Sequence, residues 1–181
     1  RANCAGRRRR DYVNATPPEG SGGANEEHAR ALHAVNTGLR IKRAGIVRTK
    51  DGKFGASADS LIDAVDNIGK ITQDGGAECK CFTSPEKLQP ILIEDNPGTA
   101  MCQMQFCMWL TGRHWWHFGL YCEHLLNIER ELTLIEVPRD DDYIAKLEAD
   151  MLEFDAYVCA VEDRLRSRKG NRVIQMADLC K

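Results

Sequence analysis

Apolar residues recur along this chain with two periods. From Tyr143 onward they fall at Leu147, Met151, Phe154, Val158, Val161 and Leu165, at helical spacing. That makes one continuous apolar face, with Asp140–Asp142 as an acidic start and Arg164, Arg166, Arg168 and Lys169 as a basic end, which suits the helix dipole. The face is expected to pack into the core. An earlier helix is predicted from Asn25 as cap, with Glu26 and Glu27 in its first turn, an Ala29, Leu32, Val35 stripe and a stop at Gly38. Ser84-Pro85 opens a short helix ending near Ile93, and Thr99–Thr111 is helical in composition with Gly112 as its stop.

Alternation marks strands at Arg40–Thr49, Phe54–Asp59, Glu78–Lys80, Trp115–Tyr121 and Leu132–Val137. Turns are predicted at Lys50-Asp51-Gly52-Lys53 and at Asp74-Gly75-Gly76, while Leu61–Thr72 reads equally as strand or turn. The order is helix, three strands, two helices, two strands, helix. It implies an α/β domain with a central mixed β-sheet flanked by helices. Residues 1–24 read as an irregular, basic and Pro/Gly-rich N-terminal segment, and 25–181 as one domain large enough for its own core.

Composition narrows this picture modestly. The net charge is −2, so no global basic field exists, and nucleic-acid binding would need a local patch. Arg7–Arg10 is such a cluster, either a solvated tail or a phosphate contact. No apolar run approaches bilayer length, and the start does not read as a signal peptide. Position 1 is Arg rather than Met, as expected of a fragment or a processed product. The eight cysteines are therefore read as reduced thiols. Cys79-x-Cys81 is not a CxxC pair, and Cys102 and Cys107 are five apart, so a structural metal site is not expected. Trp109, Trp115 and Trp116 read mainly as core, and the five histidines as scattered core or surface residues.

Candidate chemistry lies between Phe54 and Cys81. In a strand, Glu78 and Lys80 share one face and Ala77, Cys79 and Cys81 the other. A hairpin joining this strand to the Asp59 run would bring Asp59 beside Glu78. Two carboxylates and an ammonium would then converge, and carboxylate oxygens are the ligands Mg²⁺ prefers. Taken alone, the pattern is short and common. Asp59 as a turn residue and Glu78–Lys80 as a solvated strand face fit it as well.

Five blocks in order change that balance. They are Glu26-x-x-Ala29-Arg30, Gly55-Ala56-Ser57-Ala58-Asp59, Glu78-Cys79-Lys80-Cys81, Gln103-Met104-Gln105-Phe106-x-Met108-Trp109-x-Thr111-Gly112, and Trp116-x-Phe118 with Tyr121. Together they resemble the YqaJ-type viral recombinase family, the phage lambda exonuclease group, within the PD-(D/E)xK nuclease superfamily. The likeness spans about residues 25 to 160, and the Q-x-Q-x-x-M-W-x-T-G block is its most specific part.

The resemblance implies a restriction-endonuclease-like fold and a Mg²⁺-dependent exonuclease, with Mn²⁺ as a substitute. It implies digestion of double-stranded DNA from a free end, 5′ to 3′, yielding single strand for phage-type homologous recombination. A single-strand annealing protein as partner, a trimeric ring, and a phage or prophage protein in the host cytoplasm, away from membranes, follow in the same way. By position, Asp59 and Glu78 match the metal-binding acids, and the Cys79 backbone carbonyl a further ligand. Lys80 matches the catalytic lysine, and Glu26 the acid of the first helix. Gln105, and less directly Gln103, match glutamines bordering the site. Arg30, Gln103 and the cluster Arg7, Arg8, Arg9 and Arg10 are the candidate DNA contacts.

The sequence departs from the family in two places. Pro-Asp-Gly reads Ala58-Asp59-Ser60, and the segment before the first helix, which in the family supplies an arginine for the DNA 5′-phosphate, is shorter. An endonuclease of the same fold and a noncatalytic DNA-binding relative remain as alternatives. Resistance of circular DNA would separate out the first, and Mg²⁺ binding the second.

Overall fold

The protein is described from a computed structural model over residues 12–14, 23–82, 88–94 and 97–167. The chain divides into two compact units, Arg1–Ile144 and Ala145–Lys181.

In the first unit, helix α1 (Ala24–Thr37) ends at Gly38, whose φ of 67° lets its N–H turn back to Ala34 O. It starts at Ala24 with Gly23 in the capping place, so Asn25 lies inside the first turn. Strands β1 (Tyr12–Asn14), β3 (Ile46–Thr49) and β4 (Gly55–Ser57) form a three-stranded antiparallel sheet in the order β1-β3-β4. Thus a short strand lies within the stretch that reads as irregular; Arg7–Arg10 lie outside the described residues. The β3–β4 turn is the predicted one, with Asp51 accepting the Lys53 N–H at 3.1 Å and Gly52 at φ 72°.

The larger sheet runs β2 (Arg40–Arg43), β5 (Ser60–Val65), β6 (Ile71–Cys81), β7 (Trp115–Tyr121) and β8 (Leu132–Pro138) in that spatial order. Only β6 and β7 are parallel, so the sheet is mixed, as expected. A parallel pair needs a crossover, and the chain supplies one through α2 (Gln89–Glu94) and α3 (Ala100–Thr111). Helix α1 joins one face through His33 and His117. Helix α3 joins the other, where Gln103 reaches Lys80. Eight of the twelve α3 residues are buried, which explains its almost uniformly apolar sequence. Met104, Cys107, Met108 and Leu110 from α3 pack with Trp116, Phe118 and Leu120 of β7 to form the core. Trp109 and Trp116 are buried in it, as read from sequence, and Trp115 is half-buried.

Three expectations are corrected. The Arg40–Thr49 run is two strands in two sheets, broken at Ala44-Gly45. Asp74-Gly75-Gly76 is not a turn, because β6 runs through it. The turn is instead at Asp66–Gly69, where Asp66 Oδ1 accepts the N–H groups of Ile68 and Lys70 and Gly69 adopts φ 80°. A Cβ at Gly75 or Gly76 would collide with the rings of Trp115 or Trp116, so these glycines serve close packing within the sheet. The third concerns the last helix, α4 (Asp141–Ser167). Its apolar face was expected to be core, yet only Ile144 is buried, while Phe154, Val158 and Leu165 are 61%, 43% and 62% exposed. Periodicity fixes which side of a helix is apolar, not what covers it.

Candidate active site

Asp59 stands at the start of β5. Ser60 pairs with Ala77 in the antiparallel ladder, so Asp59 falls level with Glu78. Its Oδ2 accepts the backbone N–H of Cys79 at 2.7 Å, and its carbonyl accepts the N–H of Ala44 at 3.1 Å. Side chain and main chain are thus tied to opposite neighbouring strands. Ala58 is buried, and its N–H bonds Gly45 O at 3.3 Å. This explains how Ala58-Asp59-Ser60 holds an acid in place without flanking Pro and Gly: ladder hydrogen bonds set the backbone.

Glu78 and Lys80 share the α3 face of β6, as strand alternation predicts. Glu78 is 2% exposed, and its Oε1 lies 2.5 Å from Lys80 Nζ. Lys80 also lies 3.5 Å from Gln103 Oε1, and Gln103 Nε2 lies 3.5 Å from Ser57 O, both long for hydrogen bonds. Burial and the charge of Asp59 push the Glu78 carboxyl up to about 7, with Lys80 and Gln103 pulling the other way. Burial acts to lower the Lys80 pKa, but its hydrogen bond to Glu78 and the charges of Glu78 and Asp59 outweigh this and hold the ammonium above its ordinary value.

On the α1 side, Glu26 and Arg30 line a small cavity together with Asp59, Ser60, Glu78 and Cys79. Arg30 Nε donates to Ser60 Oγ at 3.0 Å. The structure therefore brings Asp59, Glu78, Lys80 and Gln103 together, with Lys80 and Gln103 on the α3 side of the sheet and Glu26 and Arg30 on the α1 side beside Ser60 and Cys79. It separates Gln105, whose amide donates to Pro138 O at 2.9 Å and accepts from the Asp140 N–H at 3.0 Å. On a helix, residues two apart point roughly 200° away from each other, so Gln103 and Gln105 cannot border one site together.

Asp59 and Glu78 present hard carboxylate oxygens, and Glu78 Oε2 is buried with no hydrogen-bond partner among the described residues. A buried carboxylate oxygen without a partner is costly, and a divalent cation is the ligand that would satisfy it. Among the described residues no three His, Cys, Asp or Glu side chains converge as a ready cage. A cation here would take two carboxylates and complete its shell with backbone carbonyl, water and phosphate oxygens, which suits Mg²⁺.

Sequence reasoning missed the pairing of His33 with His117, 2.8 Å apart and 84 residues apart in the chain. His117 Nε2 lies 3.6 Å from Glu136. No local signal marks this contact, since only the α1 packing creates it. The six described cysteines, Cys79, Cys81, Cys102, Cys107, Cys122 and Cys159, are free thiols.

Residues 12–114 match the YqaJ-like viral recombinase domain. Among solved structures, an alkaline exonuclease (LHK-Exo) from Laribacter hongkongensis superposes with TM-score 0.66 at 29% identity, over 78% of this chain and 68% of that one. The structure of LHK-Exo in complex with dAMP matches with TM-score 0.57 at 28% identity, over 77% and 71%. A phage related exonuclease from Haemophilus somnus 129PT shares the fold at TM-score 0.52 and 16% identity, over 77% and 70%. No curated protein matches the sequence. Asp59, Glu78, Lys80 and both glutamines fall inside the matched stretch, and the chain belongs to the YqaJ-like viral recombinase domain family.

Proposed function

We propose that this nuclease domain is a Mg²⁺-dependent exonuclease that digests double-stranded DNA from a free end, 5′ to 3′, leaving single strand for homologous recombination. One observation carries the reading: a buried carboxylate oxygen of Glu78 without a hydrogen-bond partner among the described residues, on a residue level with Asp59 and bonded to Lys80.

Asp59, Glu78 and the Cys79 carbonyl would hold the cation. When bound, Mg²⁺ (or Mn²⁺) lowers the pKa of a water and offsets charge on the phosphate. Lys80, kept protonated by Glu78, donates hydrogen bonds to the attacking water or a nonbridging phosphate oxygen and stabilises charge developing there. Gln103 limits where that ammonium can swing. Glu26 and Arg30 border the site from α1, and Arg30 carries the positive charge that a DNA backbone needs. Assembly into a trimeric ring, a single-strand annealing partner and work in a host cytoplasm belong to the same proposal. Among the described residues, no helix is long and apolar enough to cross a membrane.

The test is linear duplex labelled at either end, carrying a 5′-phosphate or a 5′-hydroxyl, incubated with and without Mg²⁺ beside a closed circle. The expected result is Mg²⁺-dependent release of the 5′ label first, with the circle intact. Cutting of the circle would establish an endonuclease instead, and early release of the 3′ label would reverse the polarity.

A further inference from the structure

On the α1 side of Asp59, one buried hydroxyl organises the basic side chains. Ser60 is 3% exposed, and its Oγ accepts from Arg30 Nε at 3.0 Å. Arg43 is the partner of Ser60 in the β2–β5 ladder. Residues directly opposite in an antiparallel pair project to the same face, so Arg43 adds a second guanidinium there. Its nearest carboxylate, the exposed Glu27 of α1, is 3.8 Å away, long for an ion pair and weak in water.

A bond between Arg30 and Ser60 ties helix to sheet, but a tie needs only one neutral donor. Arginine has five N–H donors, and Ser60 takes the one on Nε. That bond fixes the plane of the guanidinium and leaves the Nη1–Nη2 edge, whose spacing matches two oxygens of one phosphate. Glu26, Asp59 and Glu78 line the same cavity as Arg30, yet Arg30 makes no ion pair among the described residues. Lys80 stands on the other side of the acids, toward α3. A phosphate held against Lys80 and the acids therefore leaves Arg30 for a neighbouring phosphate of the same strand.

We propose that Arg30 binds a backbone phosphate next to the one being cut, and that Ser60 is the positioning residue that aims it. A side chain already held in one orientation loses less entropy when the phosphate arrives. The proposal rests on the nuclease reading, and it names two side chains that set how the strand lies across the acids.

The test uses the full chain and short fluorescent duplexes in which one methylphosphonate linkage, which carries no charge, is walked inward from each end. Affinity is read by anisotropy without Mg²⁺, so nothing is cut. Arg30→Ala should weaken binding to the unmodified duplex about tenfold or more, and lower the slope of log affinity against log salt by about one. One linkage should weaken the unaltered chain by the same factor and cost Arg30→Ala nothing further. Ser60→Ala keeps the charge but frees it, and should weaken binding about threefold, with Ser60→Thr restoring it. In cleavage with Mg²⁺, both losses should raise KM more than they lower kcat. Thermal melts check folding, and Arg30→Gln replaces Arg30→Ala if the latter unfolds. A scan in which no linkage distinguishes the variant from the unaltered chain overturns the proposal. So does a fall in kcat at unchanged affinity, because Arg30 would then act on the acids alone. Native binding by Ser60→Ala removes Ser60 from the positioning role. Failure of the nuclease reading shows separately, as an unaltered chain that binds duplex but does not cut it with Mg²⁺.

Discussion

Asp59 Oδ2 accepts the N–H of Cys79 at 2.7 Å across twenty residues of sequence. The bond fixes the carboxylate against the strand that carries Glu78 and Lys80. Replacing Asp59 by Ala should lower DNA cleavage by on the order of a hundredfold or more. The lost hydrogen bond should cost only about 1 kcal/mol of stability, since Asp59 sits at a strand end rather than in the core. A nuclease assay beside a thermal melt checks both. Near-native cleavage in the folded variant would remove Asp59 from the mechanism.

Glu78 must be ionised to hold a cation, and its carboxyl titrates at about 7. Protons therefore compete with Mg²⁺ below that point, and Mg²⁺ affinity should rise with pH through the neutral range and then level off. Isothermal calorimetry at several pH values measures this. In Lys80→Ala the carboxylate loses its cationic neighbour, so its pKa should move further up. Mg²⁺ binding should survive at a pH well above 7 while turnover collapses. A flat pH dependence in the native protein, or brisk turnover in Lys80→Ala, would contradict the assignments.

The His33–His117 contact ties α1 to the sheet, with one ring nitrogen donating and the other accepting, so the two imidazoles cannot both be protonated. Burial first, and the neighbouring His117 second, lower the His33 pKa from 6.5 to about 4. The unfolded chain therefore takes up a proton near pH 6.5 that the folded chain refuses until about 4. The neutral pair's contribution is present above about 6.5 and is lost as pH falls through that window. Urea unfolding of the native protein should show a steeper loss between those limits than His33→Gln does. Identical slopes would mean that other groups control the acid limb.

Gly76 is close-packed beneath the ring of Trp116 and paired with it across β6 and β7. Gly76→Ala forces a methyl into that ring and should destabilise the protein by about 1–3 kcal/mol. A lowered denaturation midpoint with an unchanged slope is the expected signature. Unchanged stability would indicate that Trp116 can move aside at no cost.

Much of the site was legible in the residues themselves. The period of two in Glu78-Cys79-Lys80 places the acid and the amine on one face wherever that strand goes, and Gly38 and Gly112 end their helices by backbone geometry alone. Such features depend on neighbours in sequence, which the chain carries with it. The pairing of Asp59 with Cys79, the parting of Gln103 from Gln105, and the meeting of His33 with His117 depend on which elements come to lie side by side. Gly75 and Gly76 looked like a turn because the bulk that demands their smallness arrives some forty residues later, on Trp115 and Trp116. Helix α4 follows the same logic: sequence made one side of it apolar, and only the tertiary structure decided that Ile144 alone of its residues is buried. Periodicity is a local property, while burial is a sum over contacts brought together from distant parts of the chain.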